Sequence, residues 1–325
     1  MTKIGLVGCG GWGKNLARNL NEMGVLTHIV DPSPAAKIIA ESMNVTVSNS
    51  LGEMFGNLDL DGVVISTPAE THFEVAMAAI KAGLHVYVEK PIALTTADAF
   101  RLSEFAESAG RILMVGHLLQ YHPIYVTLRS LAENGRFGRL RHMISTRMNL
   151  GVLRNEENVM WSFSPHDISM VLGLAQSEAK KVRATGSTFL QADISDIVTV
   201  QIQFEHSATA EIRSSWVHPE KEQKLVLVGE HAMAVFDDRA DWSNKLVITD
   251  YLVDRSMPRA VAARLQDEVI SVAQGEPLRL EMQHFVDCIA GDQRPRTDAK
   301  EAIAVLSILQ AAQISLDQQG IWIDV

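Results

Sequence analysis

An α/β protein of two domains is what the sequence predicts. Residues 1–120 form a doubly wound parallel sheet, and 121–325 a second α/β domain with a large open, mainly antiparallel sheet. Three observations carry that reading. Strands that are apolar throughout alternate with amphipathic helical stretches up to about residue 120, the pattern of a parallel sheet covered on both faces. Beyond that point long segments alternate apolar and polar residues with period two, as a sheet with one covered face does. The chain, at 325 residues, is also long enough for two sizeable cores.

The elements follow in order. KIGLV (3–7) leads into KNLARNLNEMG, a helix stopped at Gly24, and LTHIVD (26–31) into a helix over 34–43. GVVIST (62–67) precedes THFEVAMAAIKAG, which closes on Gly83. LHVYVE (84–89) precedes a helix near 96–109, opened by Thr95 with Asp98 three residues on; RILMVGH (111–117) is the next strand. After a helix at about 123–134 come LRHMISTRMNL, KKVRATGSTFL, DIVTVQIQF, ATAEIRSSW, KLVLVGE and HAMAVFDD, all read as strands. A helix following Pro165 is expected between the first two of these, with Pro165 in its first turn. Helices at about 278–290 and 298–318 finish the chain, and the IWIDV tail can pair as a strand. No flexible linker separates the halves, so a tight interface with a cleft along it is expected.

Composition narrows the function classes. A net charge of −10 argues against nucleic acid or an anionic membrane as partner. No window reaches the roughly 18 uninterrupted apolar residues of a membrane helix. MTKIGLVGCGG is not a signal peptide, because its apolar stretch is short and runs into glycines. The two cysteines, Cys9 and Cys288, have no metal-ligand spacing and suit a reducing cytosol, so the expected location is cytoplasmic, without a metal site.

The first motif is GCGGWG. Gly8, Gly10 and Gly13 stand in the three places of G-x-G-x-x-G, with Gly11 and Trp12 inside it, directly after a strand and at the opening of a helix. Gly8 permits the tight turn, Gly10 lets a pyrophosphate approach backbone, and Gly13 lets helix and strand pack closely. Asp31 ends the next strand, 18 residues after Gly13, where a carboxylate accepts from a ribose 2′-hydroxyl and repels a 2′-phosphate. These features predict a Rossmann domain that binds NAD in preference to NADP. Ser66, Thr67 and Pro68 lie at the carboxyl end of another strand, the edge at which such sheets bind ligands. Thr67 and His72 are candidates to reach the cofactor; for His72 a solvated first-turn histidine is the competing reading.

HVYVEKP (85–91) ends an apolar strand on Glu89 and Lys90. Burying a lysine is costly, and partial burial disfavours its charged form, which suits proton transfer near neutral pH. Glu89 can pair with Lys90 or orient a nicotinamide; a structural Glu–Lys pair competes with the catalytic reading. The stretch WSFSPHDIS supplies the second candidate. With Pro165 in a first turn, His166 and Asp167 fall near a helix start, where the dipole favours neutral imidazole. A capping or packing histidine is the alternative.

The combination VGCGGWGKN, STPAETH, VEKP and a histidine on a later helix resembles the glucose–fructose oxidoreductase/inositol dehydrogenase (Gfo/Idh/MocA) family over the whole chain. The resemblance implies a second domain whose open sheet serves oligomerisation, as a homodimer or homotetramer. It also implies that Lys90 and His166 flank the reacting carbinol carbon. The family's aspartate falls at Ser162, which puts an Asp–His dyad in doubt. GHLLQYHP, RMNLGVLRNEENVMWSFSPHDIS, KEQKLVLVGEHAMAVFDD and PRTDAKEA are similar to the family's sugar-nucleotide 3-dehydrogenases, especially the branch acting on UDP-N-acetylglucosamine. That similarity implies oxidation at C3 of a UDP-sugar, a ketone for a following aminotransferase, and a role in lipid A (lipopolysaccharide) or surface-glycan precursors.

Residues on and after the first strand of the second domain agree. Arg147, Asn149 and Arg154, with Arg141 nearby, suit a diphosphate, which arginine grips bidentately; a solvated strand face is the bland reading. His117, Gln120, Tyr121 and His122 are candidates to line a sugar pocket; for Tyr121 and His122 packing between the domains is the competing reading. Other readings are a free polyol or monosaccharide dehydrogenase, an NAD-dependent glycoside hydrolase, and a non-catalytic NAD sensor. A metal enzyme using His117, His122 and His166 lacks a recurring ligand spacing.

Overall fold

The computed structural model describes residues 2–48, 50–57, 59–256 and 259–325. The chain begins with β1 (Ile4–Val7), α1 (Gly13–Glu22), β2 (Leu26–Val30), α2 (Pro34–Ser42), β3 (Thr46–Ser48) and α3 (Leu51–Asn57). It continues with β4 (Gly62–Ile65), α4 (Ala69–Lys81), β5 (His85–Glu89), α5 (Thr96–Ser108) and β6 (Leu113–Gly116). The six strands form one parallel sheet in the order β3-β2-β1-β4-β5-β6. The order reverses between β1 and β4, the switch point at which doubly wound sheets bind ligands. β1, β4 and β6 are buried at every residue, as strands covered on both faces must be.

Next come α6 (Pro123–Glu133), β7 (His142–Leu150), α7 (Val159–Ala175), β8 (Ala179–Ser187), β9 (Ile197–Phe204) and β10 (Thr209–Ser215). β11 (Val217–Val228), β12 (Ala232–Asp237), β13 (Leu246–Asp254) and β14 (Val261–Val269) complete the run. The last elements are α8 (Pro277–Ala290), α9 (Ala299–Asp317) and β15 (Ile323–Asp324). The second sheet has nine strands, β14-β13-β12-β11-β7-β10-β9-β8-β15, antiparallel except for the β7–β10 pair. IWIDV therefore does supply a strand, paired with β8.

The chain divides into two compact units, Met1–Tyr121 with Gly275–Leu306, and His122–Gln274 with Ser307–Val325. The return of 275–306 departs from a boundary that assigned all of 121–325 to one domain. Its cause is packing: Leu278, Met282 and Phe285 of α8 join the core built by Ile4, Leu6, Leu16, Leu20 and Ile29. Helix α9 has the length and apolarity of a membrane span, but Ala302, Val305, Leu306, Ile308, Leu309 and Ala312 are buried in the fold.

The helix around Pro165 departs from expectation as well. Asn158, not Pro165, opens it: the Asn158 Oδ1 accepts from the Met160 and Trp161 amides at 3.1 and 3.3 Å. Such a cap is worth about 1 kcal/mol. Pro165 lies buried inside α7, so His166 is mid-helix and the dipole of a helix start does not act on it.

Candidate active site

The glycine turn is shaped by sterics. Gly8 has φ of +89°, and a Cβ there would stand 2.6 Å from the Ser66 carbonyl oxygen; at Gly13 it would collide with the Gly8 carbonyl. Gly10 and Gly11 are exposed and have nothing within 4 Å of an added Cβ. The backbone is thus closed where β1 meets β4 and open where a pyrophosphate would pass, so the turn fits NAD. Asp31 follows β2 and steadies this turn: its Oδ2 accepts from the Cys9 amide at 2.7 Å and its Oδ1 from the Ser33 amide at 2.8 Å. Burial pushes the Asp31 carboxyl up, but hydrogen bonds from Ser33 and Cys9 outweigh it and hold the group below the usual carboxylate range. An anion there is what a ribose 2′-hydroxyl requires.

Ser66, Thr67 and Pro68 form the turn after β4, the Ser66 amide donating to the Val7 carbonyl at 2.8 Å. Thr67 Oγ1 accepts from the Thr71 hydroxyl at 2.7 Å. His72 is 1% exposed, so it is not a solvated first-turn residue. Its ring nitrogens face the Pro91 carbonyl at 2.7 Å and the Thr67 carbonyl at 2.9 Å, bracing the segment after Lys90 against the β4–α4 turn.

Lys90 follows β5 directly, half-buried, ahead of a cis bond to Pro91, and makes no ion pair among the described residues. The reading of Glu89 and Lys90 as a structural pair loses its basis. Glu89 instead accepts from Trp12 Nε1 at 2.7 Å and from the Tyr87 hydroxyl at 3.1 Å. Burial pushes Glu89 upward, against the pull of Trp12, Lys90 and Tyr87. The glycine turn and the lysine strand are therefore linked through Glu89, which nothing in the sequence spacing announces.

His117 stands one residue past β6, whose last residue Gly116 is in register with Glu89. It is buried, with Nδ1 2.5 Å from Glu301 Oε2. Tyr121, read as a pocket candidate, is instead consumed by packing: it is 3% exposed, its hydroxyl lies 3.1 Å from Thr297 Oγ1 and Arg296 stacks on its ring. The Gln120 carbonyl accepts from Arg296 at 2.7 Å. Glu301, Thr297 and Arg296 belong to the returning segment; the resemblance of PRTDAKEA marked the stretch, but nothing local to it said that it packs against His117 and Tyr121.

In the second unit, Arg147 on β7 is also committed. Its Nε donates to Asp167 Oδ2 at 2.6 Å and Ser145 donates to Asp167 Oδ1 at 2.5 Å, with Asp167 1% exposed. Asp167 serves this pair rather than a helix dipole. Asn149, two residues on, keeps a buried Oδ1 without a protein partner. Arg154 is exposed in the loop between β7 and α7, where its carbonyl accepts from Gln191 at 3.1 Å; Arg141 pairs with Glu230 at 2.9 Å. Ser162 and His166 are half-buried four residues apart on α7, one turn of the same face. His122 is buried, stacked on Trp242 and 3.4 Å from Asp238, so it caps and packs rather than lining a pocket.

Comparison with known proteins agrees with this fold. Residues 2–117 match the model of the oxidoreductase family with an NAD-binding Rossmann fold, and 125–235 match the GFO/IDH/MocA C-terminal domain. The chain is 25% identical over 318 residues to UDP-N-acetylglucosamine 3-dehydrogenase of Acidithiobacillus ferrooxidans, covering 97% of each chain. Inositol 2-dehydrogenase of Acidothermus cellulolyticus is 31% identical over 191 residues, 56% of each. Among solved structures, the Acidithiobacillus ferrooxidans enzyme superposes with a TM-score of 0.85 at 24% identity, covering 97% of both chains. GenD2 from gentamicin A biosynthesis, solved with NAD, gives 0.83 at 20% identity, covering 100% of this chain and 96% of that one. This chain belongs to the Gfo/Idh/MocA family of NAD-binding, Rossmann-fold oxidoreductases.

Proposed function

We propose that the protein oxidises the C3 hydroxyl of a UDP-sugar, UDP-N-acetylglucosamine first among them, with NAD. The observation that carries the reading is Lys90: a half-buried lysine without an ion-pair partner among the described residues, at the carboxyl edge where the open glycine turn also lies. The similarity of nearly the whole chain to UDP-N-acetylglucosamine 3-dehydrogenase supports the substrate class. NAD, when bound, supplies the hydride acceptor. Lys90 takes the hydroxyl proton and then donates a hydrogen bond to the ketone oxygen. His166 is the second acid–base group by resemblance, without the aspartate that Ser162 replaces. Arg154 and Asn149 are the substrate-side candidates that keep unspent polar groups. The product is a 3-keto sugar nucleotide, suited to an aminotransferase in surface-glycan or lipid A synthesis in the cytoplasm. The edge strand β14, exposed at all nine residues with Val261, Leu265 and Val269 among them, supports association between copies of the chain.

One observation favours a second reading, a free-polyol dehydrogenase: Arg147 is bound to Asp167 and so is not a free phosphate clamp. Absorbance of NADH with NAD and a panel of UDP-sugars, free sugars and polyols separates the two. A signal with UDP-N-acetylglucosamine is expected, alone or with an aminotransferase that removes the ketone. A signal with an unphosphorylated polyol alone overturns the first reading.

A further inference from the structure

Helix α7 buries Ser164, Asp167, Ile168 and Val171 on one face, the i, i+3, i+4, i+7 stripe that normally seats apolar side chains. Two of those residues are polar, and each meets polar side chains on the sheet beneath. Asp167 accepts from Ser145 at 2.5 Å and from Arg147 Nε at 2.6 Å, and the Ser164 and Ser214 hydroxyls are 2.9 Å apart. Ser145 and Arg147 stand two residues apart on β7, and Ser214 on β10 is in register with Arg147. Alternate residues of a strand, and register partners on its neighbour, share a face. The three therefore form one polar patch on the parallel pair at the centre of the nine-stranded sheet. Ser145, Ser164, Asp167 and Ser214 are all buried. Stability does not explain this arrangement, because apolar side chains of similar volume often leave a fold as stable as a buried ion pair does, or more so. What an apolar stripe lacks is a unique rotation. It packs on an apolar face in more than one way, whereas a carboxylate held by two donors keeps its bonds in only one.

We propose that Asp167, Ser145, Arg147 and the Ser164–Ser214 pair form a latch that fixes the rotation of α7 and so the direction of the His166 imidazole. His166 and Ser162 lie two residues either side of Ser164, which puts each about 160° round the helix from it. Both are half-buried, on the side of α7 turned away from the patch. Turning α7 by one residue, about 100°, would bring His166 to the place of Asp167 and break the bonds of the latch. Asp167 and Arg147 are thus positioning residues that act on the adjacent histidine through the helix backbone. The catalytic consequence rests on the proposed acid–base role of His166.

The variant Ser145→Ala/Arg147→Met/Asp167→Leu removes the ion pair without stranding a charge. In chemical denaturation it is expected to unfold at or above the wild-type midpoint. Nuclear magnetic resonance of ring-labelled histidine, with His166 assigned by His166→Gln, reads the imidazole without sugar or cofactor. One His166 resonance is expected in the wild type, and a split or broadened one in the variant. With NAD and the sugar nucleotide, kcat should fall by about a hundredfold, the cost of misplacing a reacting group by about 1 Å. KM and the NADH dissociation constant should change only a few-fold. A folded variant that keeps the wild-type resonance, or its kcat, overturns the latch. So does one whose midpoint falls far below that of the wild type, because the cluster then acts as ordinary packing. If the triple variant does not fold, Ser164→Ala/Ser214→Ala decides by the same two readouts. It removes both hydroxyls of the second contact together, and is expected to split the His166 resonance as well. If the wild type turns over no sugar, the substrate reading fails alone and the resonance still decides the latch.

Discussion

The carboxyl edge of the parallel sheet and the face of the larger sheet under α7 treat their charged side chains in opposite ways. At the first, a lysine has no ion pair among the described residues and stands beside an open glycine turn, and the adjacent glutamate is held by Trp12 and Tyr87. At the second, Arg147, Asp167 and Ser145 close on one another in a buried cluster. The difference follows from geometry. Strand ends at a switch point leave polar groups facing a ligand. A helix lying on a sheet excludes water, so its charges must find protein partners or unfold the contact. An arginine near a catalytic motif is therefore not a substrate clamp until its partner is known.

The sharpest way to break this contrast is Lys90→Met. Turnover should fall by at least about a thousandfold, with NADH affinity, read by fluorescence titration, changed only a few-fold. A variant that keeps its kcat would make the edge lysine as structural as Arg147. Next in size is Arg147→Ala, which strands a buried carboxylate and should cost about 3–5 kcal/mol in chemical denaturation. The same change at Arg154 should leave stability within about 0.5 kcal/mol and instead raise KM for a UDP-sugar. An Arg147→Ala chain as stable as wild type would reopen the clamp assignment.

A smaller effect than that of Arg147→Ala concerns pH in the second unit. Burial raises Asp238, yet hydrogen bonds from His122 and Lys245 outweigh it and bring its pKa down to about 2. Because the folded value is depressed, the stability is present above the unfolded value of 3.8 and is lost as pH falls towards 2. Asp238→Asn should thus cost about 2 kcal/mol at neutral pH and nothing extra below about pH 2. A penalty that does not fade with acid would mean that Asp238 acts by shape rather than charge.

Much of the first region was legible. The glycine spacing, Asp31 and the HVYVEKP strand end all lie on contiguous strand–turn–helix units, where local spacing and three-dimensional proximity coincide. The helix around Pro165 was misplaced for an equally physical reason. A proline suits a first turn, but Asn158 offered a better cap seven residues earlier, and the buried contacts of α7 kept the proline inside. Gln120, Tyr121 and His122 were visible as polar and aromatic candidates, but their type alone could not say whether they face a ligand or a neighbour.

Sequence alone determined the alternation that makes a parallel sheet, the turn that must be glycine, the acid that favours NAD and the lysine at the strand end. Each is written within about thirty consecutive residues, the span of one βαβ unit. Tertiary structure decided what long-range packing controls. It returned residues 275–306 to the first unit and set Glu301 on His117. It also bound Arg147 to Asp167. These partners lie 20 to nearly 200 residues apart, and no local period records which charge a distant helix will bring to a strand end.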